Sequence, residues 1–144
     1  MAAEYSYIPV QTVDADDNVL FLNGDNACRK GYVQHRDTSG VFTLRGVTNG
    51  ACKAVYRVRF GANIAITAGG TVEAISVALA INGETIGNAE AIVTPAAIGD
   101  YFSVALETLI NVPCGCCVSI AVRNTSDTTA IDVQNANIII DRIA

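Results

Sequence analysis

Apolar and polar positions alternate with a period of two along most of this chain. Ala54, Tyr56, Val58 and Phe60 stand against Val55, Arg57 and Arg59. Ile75, Val77, Leu79 and Ile81 share one face, with alanines and Ser76 on the other. Phe102, Val104 and Leu106 alternate with Tyr101, Ser103, Ala105 and Glu107. Successive side chains of a strand point to opposite faces, so this period predicts half-buried strands. Further on, Ile110, Val112, Val118, Ile120, Val122, Ile131, Val133, Ile138, Ile139 and Ile140 are β-branched, a type suited to a pleated surface.

Turn signals cut the pattern into lengths. They are Asn23-Gly24-Asp25-Asn26, Asp37-Thr38-Ser39-Gly40, Asn49-Gly50, Ala68-Gly69-Gly70, Asn82-Gly83, Pro95, Pro113 with Gly115, and Asn124-Thr125-Ser126-Asp127. Asn-Gly between alternating runs is a strong hairpin signal, because both turn positions need positive φ. The predicted strands include 18–22, runs within 31–48, 53–60, 71–81, 84–86, 89–94, 101–112, 116–123 and 130–143. The alanines of 72–81 would also suit a helix, but the bounding Gly69-Gly70 and Asn82-Gly83 leave a strand-sized length. The result is roughly eight or nine strands spaced as in an antiparallel jelly-roll sandwich. Residues 1–26 read as an acidic N-terminal arm and 27–144 as one β domain, with no internal repeat or linker.

Composition adds an expectation of assembly. The 144-residue chain is 51% hydrophobic and 16% charged, rich in alanine and glycine, and without tryptophan. So much apolar surface on so small a chain predicts burial between subunits. Small side chains also make poor walls for a deep ligand pocket. No run approaches the roughly 20 apolar residues that span a bilayer, so no membrane partner is expected. Met1-Ala2-Ala3-Glu4-Tyr5 has neither the basic region nor the apolar run of a secretory leader, so synthesis in a cytosol and release by lysis are expected.

The net charge of -5 is unevenly distributed. Residues 1–26 hold Glu4, Asp14, Asp16, Asp17 and Asp25 with no base, whereas 27–60 hold Arg29, Lys30, Arg36, Arg45, Lys53, Arg57 and Arg59 against Asp37 alone. Residues 61–144 are acidic again. Such blocks either orient a partner by complementary potential or mix and cancel on the folded surface. Tyr32, Phe42 and Tyr56 lie among the bases, but overall acidity argues against nucleic acid as a partner.

Little in the chain suggests chemistry. Cys114-Gly115-Cys116-Cys117 has a metal-like look, yet Cys28 and Cys52 do not complete paired zinc-ligand spacing. In a strand Cys116 and Cys117 would face opposite ways, so buried apolar thiols are the simplest reading, with a disulfide or a metal as the rivals. His35 is the only histidine and reads as a solvated turn residue. Ser39 and Ser126 lack a partner set for nucleophilic catalysis other than this distant histidine. Asp14, Asp16 and Asp17 resemble a calcium loop, but Val19 stands where the EF-hand needs glycine. No enzyme activity, cofactor or metal is expected.

Three segments nonetheless carry a resemblance. Tyr56-Arg57-Val58-Arg59-Phe60 resembles the Y-x-V-x-F strand of C1q and tumour-necrosis-factor-like jelly rolls. Val77-Ala78-Leu79-Ala80-Ile81-Asn82-Gly83 resembles their L-x-x-N-G hairpin, and 109–120 their late strand pair. With the entry segment 33–46, a chain of this size resembles small bacteriophage virion proteins, head decoration proteins and head fibres among them. The resemblance implies an all-β jelly roll with an extended N-terminal arm, a homotrimer, and a place on the capsid exterior against the major capsid protein lattice. On that reading Tyr5, Tyr7, Ile8, Pro9 and Val10 are candidates for capsid docking. Tyr56, Tyr101, Val104, Leu106 and Ile120 are candidates for the trimer interface or core. The alternative is a receptor- or glycan-binding fibre tip, which exposed aromatic loops would favour.

Overall fold

The computed structural model describes residues 2–24, 26–27, 31–46, 53–115 and 117–143. The Asn49-Gly50 hairpin expected from the sequence lies outside them. The described residues form eleven strands and no helix: β1 Ala2–Tyr7, β2 Gln11–Val13, β3 Leu22–Asn23, β4 Val33–His35, β5 Phe42–Arg45, β6 Lys53–Ile66, β7 Ile75–Ile81, β8 Glu84–Val93, β9 Phe102–Pro113, β10 Cys117–Asn124 and β11 Ile131–Arg142. Short pairings near the N-terminus account for the excess over the expected number. The segment 71–81 enters its strand only at Ile75; before it the chain turns at 67–70, where the Gly70 N–H donates to the Thr67 carbonyl at 2.9 Å and a Cβ on Gly70 would lie 2.8 Å from Ile66.

Two antiparallel sheets stack into a sandwich. The first runs β3-β1-β11-β6-β9, with β2 also on β11; the second runs β4-β5-β10-β7-β8. The long strands β6, β9 and β11 pair almost end to end, from Lys53 opposite Pro113 to Ile64 opposite Phe102. Their inward positions, including Ala54, Tyr56, Val58, Phe60, Ile110, Val112, Ile138 and Ile140, are buried as the alternation requires. Strand β7 departs from it: Ser76, Ala78 and Ala80 on the second face are buried as well. The β7–β8 hairpin leans over that face, where Asn82 accepts from the Ser119 backbone at 3.0 Å and Arg123 donates to Gly83 at 2.9 Å. Asn82 (φ 51°) and Gly83 (φ 87°) take the paired left-handed conformation that a tight hairpin demands.

The N-terminal segment corrects the expectation of a free arm. β1 adds to β11 from Ala2 opposite Asp141 to Tyr7 opposite Ala136. Its alternation buries Ala3 and Tyr5. At Ile8 the chain turns a corner, and β2 resumes on the same strand, with Gln11 opposite Val133. At the same point β11 bulges relative to β6, at Asn135 (φ 56°), whose N–H donates to the Ile8 carbonyl at 3.1 Å. Residues 18–21 then cross to the second sheet. There Val19 donates to Val122, and the close approach leaves no room for a Cβ at Gly40, which would lie 2.7 Å from the Val19 carbonyl.

Candidate interaction surfaces

The core takes several of the residues singled out above. Tyr5 is 1% exposed; its ring sits 4.9 Å from those of His35 and Phe42. It is therefore part of the core, and burial removes it from any docking surface. Tyr7 is half-buried, while Ile8, Pro9 and Val10 form the exposed corner between β1 and β2. Tyr56, Val104, Leu106 and Ile120 are buried within the single subunit, and Tyr101 is exposed at the mouth of β9. The structure thus divides each candidate set: the core claims one docking candidate and four of the five interface candidates.

His35 is likewise no solvated loop residue. It stacks on Phe42 at 4.4 Å, its Nδ1 lies 2.6 Å from Asn23 Oδ1, and its Nε2 lies 2.7 Å from the Ser39 carbonyl. Burial lowers its affinity for a proton, and the Ser39 carbonyl and Asp37 offset part of that effect. Cys114 and Cys117 are exposed, contrary to the expectation of buried thiols, because β9 and β10 belong to different sheets and Cys114-Gly115 turns at the end of the sandwich; Cys28, Cys52 and Cys116 lie outside the described residues. Among the described residues, no three His, Cys, Asp or Glu side chains are grouped as a metal site.

Exposed apolar side chains gather at the two edges. On the β3 side are Ile8, Val10, Leu20 and Leu22. They are neighbours because the Gln11 amide both donates to and accepts from the Leu20 backbone, and Leu22 pairs with Ser6. On the β8–β9 side are Ile92, Tyr101, Phe102 and Leu109. Phe102 shares the inward phase of Val104 and Leu106 but opens the strand, past the cover of the second sheet, so nothing in the alternation marks it as surface. Between the edges, the outer face of the first sheet holds a concavity of about 440 Å³ lined by Arg59, Gly61, Asn63, Ser103, Ala105 and Asn137. Its walls mix these polar side chains with apolar ones such as Ala62 and Ile139.

Charge separates along the strands instead. At one end the register brings together Arg45 opposite Cys117, Lys53 opposite Pro113, and Arg142 opposite Tyr56. The Tyr56 hydroxyl binds this end together, reaching the Arg45 carbonyl at 2.6 Å and the Tyr32 carbonyl at 3.2 Å. The Arg142 guanidinium lies 4.6 Å over the Tyr32 ring. Two carboxylates lie toward this end: Asp141, which pairs with Arg57 at 3.0 Å, and Glu84 of the β7–β8 hairpin.

The opposite end carries Asp14, Asp16, Asp17, Asp37, Glu73, Asp100, Asp127 and Asp132 against Arg36 of the β4–β5 loop, so it is predominantly acidic. Its hub is the buried Asn124, whose amide donates to the Val13 and Thr129 carbonyls at 3.0 Å and accepts from the Ser126 N–H. The backbone of Asn124 also bonds Asp16 and Asp17, fixing the acidic loop to the sandwich. Asp132 accepts from Thr12 and Thr67. Tyr101 sits at this end: burial, and then the Asp132 charge, raise its phenol above the usual tyrosine value.

No family model matches this chain, and no curated protein does. Solved structures do. The tumour necrosis factor Eiger of S. frugiperda superposes with a TM-score of 0.68 over 99% of this chain and 93% of its own, at 14% identity. Murine APRIL at pH 5.0 gives 0.66 over 99% and 100%, at 10% identity, and murine APRIL at pH 8.5 gives 0.62 over 98% and 99%, at 9% identity. At these identities the likeness is one of backbone, and the chain has the fold of a tumour-necrosis-factor-like jelly roll.

Proposed function

We propose that this chain is a structural virion protein that assembles as a homotrimer and decorates the capsid exterior, bound to the major capsid protein lattice. The observation that carries the trimer is the pair of unlike apolar edges. Ile8, Val10, Leu20 and Leu22 are exposed on the β3 side, and Ile92, Tyr101, Phe102 and Leu109 are exposed on the β8–β9 side. Joining one edge to the other in a neighbouring copy makes a heterologous contact, and such contacts close into a ring when the rotation permits. The tumour-necrosis-factor-like jelly roll supports a closed trimer. The capsid role is supported by the resemblance of the 33–46 entry segment and of the chain's size to head decoration proteins. A trimer that binds only the assembled lattice stabilises it by mass action, and three weak contacts acting together gain avidity.

Light scattering after size exclusion tests the trimer: a mass three times the 15.0 kDa chain is expected. Phe102→Ser is expected to dissociate it while leaving the strand circular dichroism intact; a monomeric wild-type chain overturns the reading. For the capsid role, gradient-purified particles from cultures making this chain are expected to contain it stoichiometrically, as read by peptide mass spectrometry. Its absence from the particles overturns that role.

A further inference from the structure

We infer that the Arg45–Lys53 end of the sandwich is the end by which the molecule docks, and that it takes an acidic protein surface. The inference rests on the proposal that the module is held on a partner, but not on that partner being a capsid. Three observations converge. First, Arg45 and Lys53 are exposed at the same end through unrelated pairings, Arg45 with Cys117 and Lys53 with Pro113. Among the described residues no carboxylate pairs with either, whereas Arg57 and Arg59 on the sheet face have carboxylates at 3.0 and 3.9 Å. Second, the far end is predominantly acidic, with Arg36 the one base of its described loops, and is hydrogen-bonded into place, so the molecule is electrically polar along its strands. A partner with an acidic surface would attract the first end and repel the second, which fixes orientation as well as affinity. Third, a cyclic ring keeps every copy pointing the same way along its axis, so a trimer would present its basic ends together.

A protein is favoured over a nucleic acid for a geometric reason. Base stacking needs an open aromatic face, and the Tyr32 ring at this end is covered by the Arg142 guanidinium. The docking end also differs from the sequence expectation: the acidic segment 1–26 contributes Asp14, Asp16 and Asp17 to the far end, away from this surface.

The probe is poly-L-glutamate fixed to a sensor surface. The wild-type chain is expected to bind at about 0.05 M salt and to be released near 0.5 M, where exposed charges are screened. Arg45→Glu with Lys53→Glu is expected to weaken binding about tenfold or more, and Arg59→Glu on the sheet face to leave it nearly unchanged. Arg45→Gln with Lys53→Gln, a milder pair, is expected to fall between, with near-ultraviolet dichroism confirming a native core. Equal binding by the Glu pair and the wild type overturns the inference, as does no wild-type binding. Stronger competition by double-stranded DNA than by soluble poly-glutamate overturns the protein assignment. A monomer that still binds through Arg45 and Lys53 sinks the trimer reading and leaves this one standing.

Discussion

The two ends of the sandwich are built from the same strands and held by opposite means. At the acidic end one buried amide, Asn124, satisfies carbonyls from two separate segments and through its backbone fixes the turn that follows one of them. At the basic end the Tyr56 phenol does the joining, buried as a ring and polar only at its tip. An amide with several obligatory partners is costly to replace, because each lost bond leaves a buried carbonyl dry. A phenol loses one proton's worth of bonding and keeps its packing. The acidic end is thus fixed by polar satisfaction and the basic end chiefly by burial.

Asn124→Leu should break this contrast most severely. It strands the Val13 and Thr129 carbonyls and the Ser126 N–H, so a loss of about 2–4 kcal/mol is expected. Chemical denaturation is the readout, and a loss like that of a surface substitution would refute the hub. Tyr56→Phe is the matched change at the other end. It removes only the hydroxyl, for an expected loss of about 1–2 kcal/mol. If Tyr56→Phe costs more than Asn124→Leu, the comparison is the wrong way round.

The third test lies between the ends, at His35. Its folded state binds a proton less readily than the unfolded chain, whose ordinary value is 6.5. Its contribution to stability is therefore complete above that value and is lost as pH falls through the lowered folded one. The wild-type melting temperature is expected to drop between about pH 7.5 and pH 5, and His35→Gln to drop less. Identical pH profiles would show that the imidazole stays out of the balance. The smallest effect is expected from Arg57→Ala, which removes a half-exposed pair with Asp141 and should cost no more than about 1 kcal/mol, less in high salt.

Much of the fold was legible because a period of two states which face each residue takes. Strands β6, β9, β10 and β11 begin and end within a few residues of their expected limits, except that β6 runs on to Ile66. The Asn82-Gly83 turn forms where its φ requirement places it. The segment 1–26 was less legible. Its acids suggest solvent, but Ala3 and Tyr5 obey the strand alternation, and a run of six residues is too short to announce a partner 130 residues away. His35 was misread for a related reason: its stacking partner Phe42 and its acceptor Asn23 lie on other strands. The surfaces were the least legible, since Phe102 and Leu106 have the same phase and differ only in what lies above them.

The all-β class, most strand limits, the apolar excess and the three charge blocks can be read residue by residue, because each is local or additive along the chain. Folding settles the rest: β1 joins the sheet, Tyr5, Tyr56 and Ile120 serve the core while Ile8 and Phe102 remain outside, and the charge blocks resolve into a basic and a predominantly acidic end. Those outcomes depend on register between strands distant in sequence and on where a neighbouring sheet stops covering an edge. Pairing fixes both, and no single strand encodes its partner.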